Sequence, residues 1–515
     1  MTYAQAQEYL AGLSKFGTKL GLETMINLCH ALGNPQDSLQ FIHIAGTNGK
    51  GSVLTYLTSI LTESGINVGS YTSPAVRSRR EQYQVKQEWI EEEELTELVV
   101  EIQQAICSMT SQGLDSPTLF EVETAMAFLY FKKKSCDVVV LETGMGGRTD
   151  ATNVVYNTLV SIFTPIAMDH VQELGPTQKD IARVKAGIIK RNCRVIISAT
   201  QSDEVSQVLA EEASLYNQPV VTIVPAFITI QEHQDGSSVF DYKRMNNLQI
   251  HMLGLHQVEN ACLAIEALEG LRHYVDCMDS CLENTFVNKI TETTLREGLK
   301  KAQMFGRMSV IHQHPTVILD GAHNIHAIHM LCENLKTYYN RRRIIAVTGV
   351  FKDKEYHKMI ELMSPLLSHV ISVTLPNINR SLPASVLHEA WLHADVVMLD
   401  ATQEESVGLE QDQVQTDRVE SINHELQAHV VMHDEAQEES VEFRQEQVNT
   451  DRVESKKHGL QSTCFEYYDS IDEGMQQAFN VAGQDDVVLV FGSLSLLCEA
   501  ETCVLDYQKV NHRIG

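Results

Sequence analysis

The stretch Phe41-Ile-His-Ile-Ala-Gly-Thr-Asn-Gly-Lys-Gly-Ser52 most constrains the fold. Its apolar opening predicts a buried strand, its glycines a tight turn, and the residues after Lys50 a helix. Gly46, Gly49 and Gly51 allow backbone N–H groups to curl around an anion, Lys50 adds a point charge, and Ser52 offers a hydroxyl to a metal. A nucleotide phosphate cradle at a helix N-terminus is built this way. The spacing G-x-x-G-K-G-S departs from the usual G-x-x-x-x-G-K-[ST], which narrows the class of ATP-using protein.

Bulk properties set the frame. A chain of 515 residues predicts two large domains, and 43% hydrophobic residues supply their cores. The net charge of −28 argues against nucleic acid or an anionic membrane as partner, although a local basic pocket can still take an anionic substrate. The 11 cysteines include no C-x-x-C pair; Cys277 and Cys281, at helical spacing, read as two buried thiols. That usage fits a reducing, cytoplasmic setting. Met-Thr-Tyr-Ala-Gln has no signal-peptide character, and no run is long enough to span a membrane.

Strand–loop–helix alternation runs through the chain. The first 40 residues read as helical, with Tyr9, Leu10, Leu13, Phe16 and Leu20 on one face and a second helix from Gly21 to Leu32. Strands are expected at Phe41–Ala45, Val68–Tyr71, Asp137–Leu141, Thr158–Phe163 and Arg194–Ser198, and helices at Ser52–Ser64, Ser116–Lys133 and Lys179–Ile189. This βαβ order implies a parallel sheet with ligands at the strand C-termini. A second α/β section has strands at Thr316–Leu319, Arg343–Thr348, Val370–Thr374 and Asp486–Phe491. The expected fold is α/β: a P-loop-type, mostly parallel ATPase domain over 1–297, then a smaller Rossmann-like domain over 298–515.

One segment differs in character. Val396-Val-Met-Leu-Asp-Ala-Thr-Gln-Glu-Glu-Ser-Val407 recurs from Val430 to Val441, and Gln413-Val-Gln-Thr-Asp-Arg-Val-Glu-Ser421 recurs from Gln447 to Ser455. Both offsets are 34 residues (396 to 430, 413 to 447), the mark of one tandem duplication. Residues 400–461 hold 16 acidic against 5 basic side chains, so the segment reads as a solvated, mobile acidic insertion.

Beyond the loop, Glu142 closes Val138-Val-Val-Leu141 beside a glycine run, where a carboxylate is suited to Mg²⁺. Asp169-His170 follows another strand, and topology brings His170 to the same sheet edge. Lys185, in a helical context, reads by itself as a solvated lysine. Arg307 and Asp320, near the domain junction, suit either a nucleotide clamp or an interdomain salt bridge.

Together these motifs resemble the folylpolyglutamate synthase family of the Mur ligase group. The resemblance rests on Ala45–Ser52, Tyr71-Thr-Ser-Pro74, Phe120-Glu-Val-Glu-Thr124, Glu142–Asn153, Asp169-His170, Lys185-Ala-Gly-Ile188, His256-Gln-Val-Glu-Asn260, Gly306-Arg-Met308, Leu319–Asn324, Leu375-Pro-Asn377, Arg380–Pro383 and Phe491–Leu494. It implies a ligase that uses MgATP to phosphorylate a folate carboxylate, which the amine of L-glutamate then attacks, with dihydrofolate synthesis as a related activity. By the same resemblance Gly46, Thr47, Asn48, Gly49, Lys50, Gly51 and Ser52 hold ATP phosphates, and Asn260, Arg307 and Asp320 complete the nucleotide site. Ser52, Ser73, Glu142 and His170 take magnesium. Lys185 is the carbamylated lysine, acting with Lys50 and His170 in catalysis. Phe120, Glu121, Thr124 and His323 contact substrate. The implied partners are a reduced folate, L-glutamate and ATP, and the implied state is a monomer. Another amide ligase of the group and a non-catalytic ATP-binding protein are the competing readings; the retained Lys50, Glu142, His170 and Lys185 argue against the latter.

This sequence departs from the family pattern at three points. Ala75 stands where His is frequent, Met304-Phe305 where Trp-Pro is frequent, and Ser495 where an aromatic is common.

Overall fold

The computed structural model describes residues 1–17, 21–191, 193, 195–218, 220–234, 237–277, 286–394, 453–454 and 463–511. Leu20, Cys281 and, apart from Val453–Glu454, the acidic segment 400–461 lie outside the described residues.

The first sheet contains β1 (Phe41–Ala45), β2 (Val68–Tyr71), β3 (Tyr83–Val85), β4 (Glu88–Trp89), β5 (Val138–Glu142), β6 (Thr158–Phe163), β7 (Val195–Ser198) and β8 (Val220–Thr222). Their order is β4-β3-β2-β5-β1-β6-β7-β8. The six strands from β2 to β8 are parallel, and β3 and β4 extend one edge as an antiparallel hairpin. Helices cover both faces, so β1, β5 and β6 are buried throughout and are mostly apolar, with His43, Glu142, Thr158 and Ser161 the polar exceptions. Side-chain alternation divides them between two cores. Ile42, Ile44, Val138, Val140 and Val160 pack with the helices Lys50–Glu63, Leu255–Cys277 and Glu292–Lys301. Phe41, Val139 and Leu141 pack with Tyr3–Gly12, Glu92–Ser111 and Leu119–Lys133.

A small antiparallel sheet follows: β9 (Ile228–Gln234), β10 (Ser237–Tyr242) and β11 (Met245–Ile250). Leu295, Leu299 and Ala302 remain in the first core. The expected boundary at 297/298 therefore falls inside the helix Glu292–Lys301, and the chain passes to the second sheet through the residues after Ala302.

That second sheet is built from β12 (Ser309–Gln313), β13 (Thr316–Leu319), β14 (Ile344–Thr348), β15 (His369–Val373), β16 (Val453–Glu454), β17 (Cys464–Tyr468) and β18 (Val487–Phe491). The order β12-β13-β18-β14-β15-β17-β16 has a parallel centre with an antiparallel strand at each edge. The two-domain α/β reading therefore holds, with β1 the point in the first sheet on either side of which successive strands are laid down.

Candidate active site

The phosphate loop leaves β1 at Gly46. A Cβ on Gly46 would sit 1.8 Å from Thr164 Oγ1, so only glycine fits against the end of β6. Gly49, at φ +91°, caps the helix Lys50–Glu63 without any side-chain hydrogen bond. The first-turn N–H groups of that helix remain available to an anion. Thr47 ties the loop to the next strand end: its N–H donates to Pro165 O at 2.9 Å, its hydroxyl to Ala167 O at 3.1 Å, and it accepts from Ala167 N–H at 3.0 Å.

Two lysines converge on this loop. Lys50 Nζ donates to Gly46 O and Thr47 O, both at 3.3 Å, and lies 3.8 Å from Glu142 Oε1. Lys185 Nζ donates to Gly46 O at 2.7 Å and is buried, not solvated. Burial, and the like charge of Lys50, lower its pKa to about 7 against the opposing pull of Asp169 and Asp150. Glycine explains how this helix comes so close: a Cβ on Gly147 would meet Lys185 O at 2.7 Å.

Glu142 is the last residue of β5, not the first beyond it, and is buried. Thr72 Oγ1 donates to its Oε2 at 2.5 Å, and the Ser73 N–H also donates to it. Burial raises its pKa even though Lys50, Thr72, Arg307 and Ser73 all favour the charged form. Ser52 Oγ accepts from Gln257 Nε2 at 3.2 Å, and Gln257 Oε1 accepts from Asn260 Nδ2 at 3.1 Å.

One cavity is lined by Asn48, Gly49, Ser52, Asn260, Arg307 and Asp320, together with His256, His323 and His326. It joins the two sheets. Asn48 and Asn324 exchange side-chain amide hydrogen bonds at 3.3 and 3.2 Å, and Asn324 caps the helix Ile325–Tyr339. Asp320 accepts from Met308 N–H and Ala322 N–H at 2.8 and 2.9 Å; burial raises its pKa against the pull of Arg307. Burial, then Arg307 and His326, depress the His256 pKa to about 4, so its ring is neutral.

A second cleft, of about 640 Å³, contains Ser73, Phe120, Glu121, Arg77, Arg79 and Asp150 on its wall. Phe120 reaches it because Gly144 lacks a Cβ, which would lie 2.4 Å from the ring. Glu121 has a structural task as well. Its Oε2 accepts from Thr118 N–H and Oγ1 at 2.7 and 2.8 Å, closing a capping box on the helix Leu119–Lys133. Thr124 does not line this cleft: it is fully buried, and its hydroxyl donates to Phe120 O at 2.8 Å. Its position one turn into the helix turns it inward, so it supports Phe120 from behind.

His170 lies on a third cleft with His323, His326 and Lys354. It is half-exposed, at φ 49°, with Asp169 at 3.8 Å. His323 Nδ1 lies 2.8 Å from Gly321 O, which fixes the proton on Nδ1; burial, opposed by that carbonyl, lowers its pKa. Sequence reasoning passed over Thr72, Gln257 and Asp150. All three lie inside recognised motifs, Tyr71–Pro74, His256–Asn260 and Glu142–Asn153, but the contact of Thr72 with Glu142, that of Gln257 with Ser52 and the burial of Asp150 emerge only in the fold. Two departures find partners: Met304 Cε would meet a Cβ on Gly51 at 2.5 Å, and Phe305 lies under the Arg77 guanidinium at 3.7 Å.

The chain matches the Mur ligase middle domain over residues 44–268 and the Mur ligase, glutamate ligase domain over 306–407. The dihydrofolate synthase/folylpolyglutamate synthase of Bacillus subtilis is 36% identical over 394 residues, covering 75% of this chain and 88% of that one. The chain belongs to the folylpolyglutamate synthase/dihydrofolate synthase family. This family comprises ATP-dependent ligases that join glutamate to folates or their precursors. The folylpolyglutamate synthase of Lacticaseibacillus casei is 30% identical over 76% of this chain and 90% of that one. That of Thermotoga maritima, 26% identical, superposes with a TM-score of 0.70 over 97% of this chain and 96% of that one. The Mycobacterium tuberculosis folylpolyglutamate synthase complexed with ADP, 24% identical, shares the fold at a TM-score of 0.74, covering 97% and 98% of the two chains. No described helix is long and apolar enough to cross a membrane.

Proposed function

We propose that this folylpolyglutamate synthase family member activates a folate carboxylate with ATP and joins it to L-glutamate, acting as a cytoplasmic monomer. The observation that carries this reading is the convergence of Lys50, Lys185 and Glu142 on one Gly-rich loop, between a cavity reaching Arg307 and Asp320 and a cleft walled by Phe120. In the first step a carboxylate oxygen attacks the γ-phosphorus of ATP and ADP departs. In the second the glutamate amine attacks the acyl carbon, phosphate departs and an amide forms. Lys50 and the first-turn N–H groups offset charge on the transferring phosphoryl, while Asn260, Arg307 and Asp320 hold the nucleotide from the far side.

The donor set fits magnesium. Ser52 and Ser73 offer hydroxyls, and Glu142 is a buried carboxylate with an incompletely compensated charge that a divalent cation would neutralise. His170 would join from the neighbouring loop. Magnesium there supplies charge neutralisation at the phosphates. Lys185 supports carbamylation: an amine with a pKa of about 7 is substantially neutral, and attack on CO₂ gives a carbamate with release of one proton. The Asp150 carboxylate accepts from Met145 and Thr152 N–H, which orients it to accept ring N–H groups beside Phe120. Arg77 and Arg79 also line this cleft, paired with Glu501 and Glu123, and an anionic folate tail would have to exchange for those carboxylates to engage them. His323, with its proton on Nδ1, leaves Nε2 as an acceptor for the incoming amine.

The test is ADP release and glutamate incorporation with tetrahydrofolate, methylene-tetrahydrofolate and dihydropteroate compared. Turnover should require both a folate-type acceptor and glutamate, and Lys50→Ala should abolish it with the fold intact. Turnover without a folate would instead identify a ligase for another acid, and near-normal activity in Lys50→Ala would sink the phosphate-loop assignment.

A further inference from the structure

At the strand N-termini of the second sheet, the edge opposite Asp320 and Gly492, three side chains of a different chemistry meet. His369 opens β15 and Cys464 opens β17, and the two are register partners in the parallel pairing. Glu466, two residues along, projects to the same face as Cys464. His369 Nε2 lies 3.2 Å from Glu466 Oε1, Cys464 Sγ lies 3.9 Å from that same oxygen, and the three ligand atoms lie within 4.8 Å of one another. His369 is 3% exposed, and among the described residues its Nε2 makes no hydrogen bond of good geometry. Glu466 is held from its other side: Oε2 accepts from Tyr468 OH at 3.0 Å and from Gln477 Nε2 at 2.8 Å.

We propose that His369, Cys464 and Glu466 bind one divalent transition ion of the zinc class, at a site separate from the nucleotide centre. Imidazole, thiolate and carboxylate form a mixed N, S and O donor set that suits zinc and its neighbours and is poorly matched to magnesium. Donors at zinc bonding distances in a tetrahedron stand roughly 3.3–3.8 Å apart, and the observed 3.2 and 3.9 Å fall close to that range. The two hydrogen bonds to Glu466 Oε2 act as the outer shell that orients a ligating carboxylate and leaves Oε1 for the ion. Three protein ligands leave the fourth position to water. Placement at the strand N-termini keeps this ion away from the phosphate loop. Its effect is to clip β15 to β17 at the first residues of both strands.

The test uses the full-length protein, stripped with a chelator and titrated with Co²⁺ as a spectroscopic probe. One equivalent should give a near-ultraviolet thiolate-to-cobalt charge-transfer band, which Zn²⁺ abolishes and excess Mg²⁺ does not. Zn²⁺ should also slow alkylation of Cys464, followed by peptide mass spectrometry in the unaltered protein. Cys464→Ser, nearly equal in volume, should lose the band while keeping folate-dependent ATP turnover. His369→Gln should weaken cobalt binding by at least roughly tenfold, the scale on which even outer-shell contacts act. The absence of a thiolate band, an unchanged band in Cys464→Ser, or alkylation of Cys464 indifferent to Zn²⁺ would each overturn the site and leave a buried His–Glu ion pair in its place.

Discussion

Lys185 shows how far a residue's surroundings can alter its chemistry. Its folded pKa, about 7, lies below the ordinary 10.5, so between those values the folded state holds fewer protons than the unfolded one. The contribution of this group to stability therefore rises with pH across that window, and its neutral amine is the form that the proposed carbamylation requires. Activity should fall in CO₂-depleted buffer and return with bicarbonate. Lys185→Ala should be inactive and partly rescued by formate or acetate; indifference to both treatments would remove the carbamate from the mechanism. His369 runs the other way. Burial disfavours its charged ring, but Cys464 and Glu466 outweigh that and raise its pKa to about 9. Its stabilising contribution is complete below about 6.5 and is lost as pH rises through about 9. In chelator-treated protein the urea midpoint should decline across that interval, and His369→Gln should flatten the decline. Neither lysine burial nor this triad was legible from local sequence. Lys185 occupies a helix with charged neighbours, and only the glycine at 147 and the carbonyl of Gly46 draw it inward.

At the level of elements, what the chain announced best were the parallel strands, because most strands buried on both faces carry largely apolar runs. The expected Thr316–Leu319 is reproduced without change, and Val68–Tyr71 and Thr158–Phe163 likewise. The antiparallel pieces went unread. Glu88–Trp89 is two residues long, and Ile228–Gln234 carries Gln231, Glu232 and His233 in succession, so neither offers a clear period of two. The helix start at Leu119 raises a question that the cleft beside Phe120 makes testable: Glu121 both caps the helix and lines the cleft. Glu121→Ala should cost about 0.3–1.5 kcal/mol of stability through the lost box, whereas Glu121→Gln should retain most of it. A raised folate KM in the stable Glu121→Gln variant, measured beside its urea midpoint, would assign the carboxylate to the substrate. An unchanged KM would leave it a cap alone.

Across the whole molecule, the two sheets are fastened on both sides of the cavity that reaches Arg307 and Asp320. Asn48 meets Asn324 and His326 on one side; on the other Arg77 stacks on Phe305 and pairs with both oxygens of Glu501. Residues that a sequence reading assigns to separate domains thus share contacts, which no local pattern conveys. Removal of one 34-residue unit of the acidic repeats should leave folate-dependent ATP turnover largely unchanged; a collapse of activity would show that they serve the reaction. The pairing of Val453–Glu454 with β17 gives that deletion a structural footing. These two residues shield the outermost strand, and an unshielded strand edge invites self-association. One repeat earlier the chain carries the same dipeptide, Val419-Glu420. Excising the unit 421–454 would join Val419-Glu420 directly to Ser455, at unaltered distance from Cys464. Loss of one copy thus leaves the same dipeptide at the same distance from β17, and the shortened protein should match the full chain in solubility as well as in catalysis.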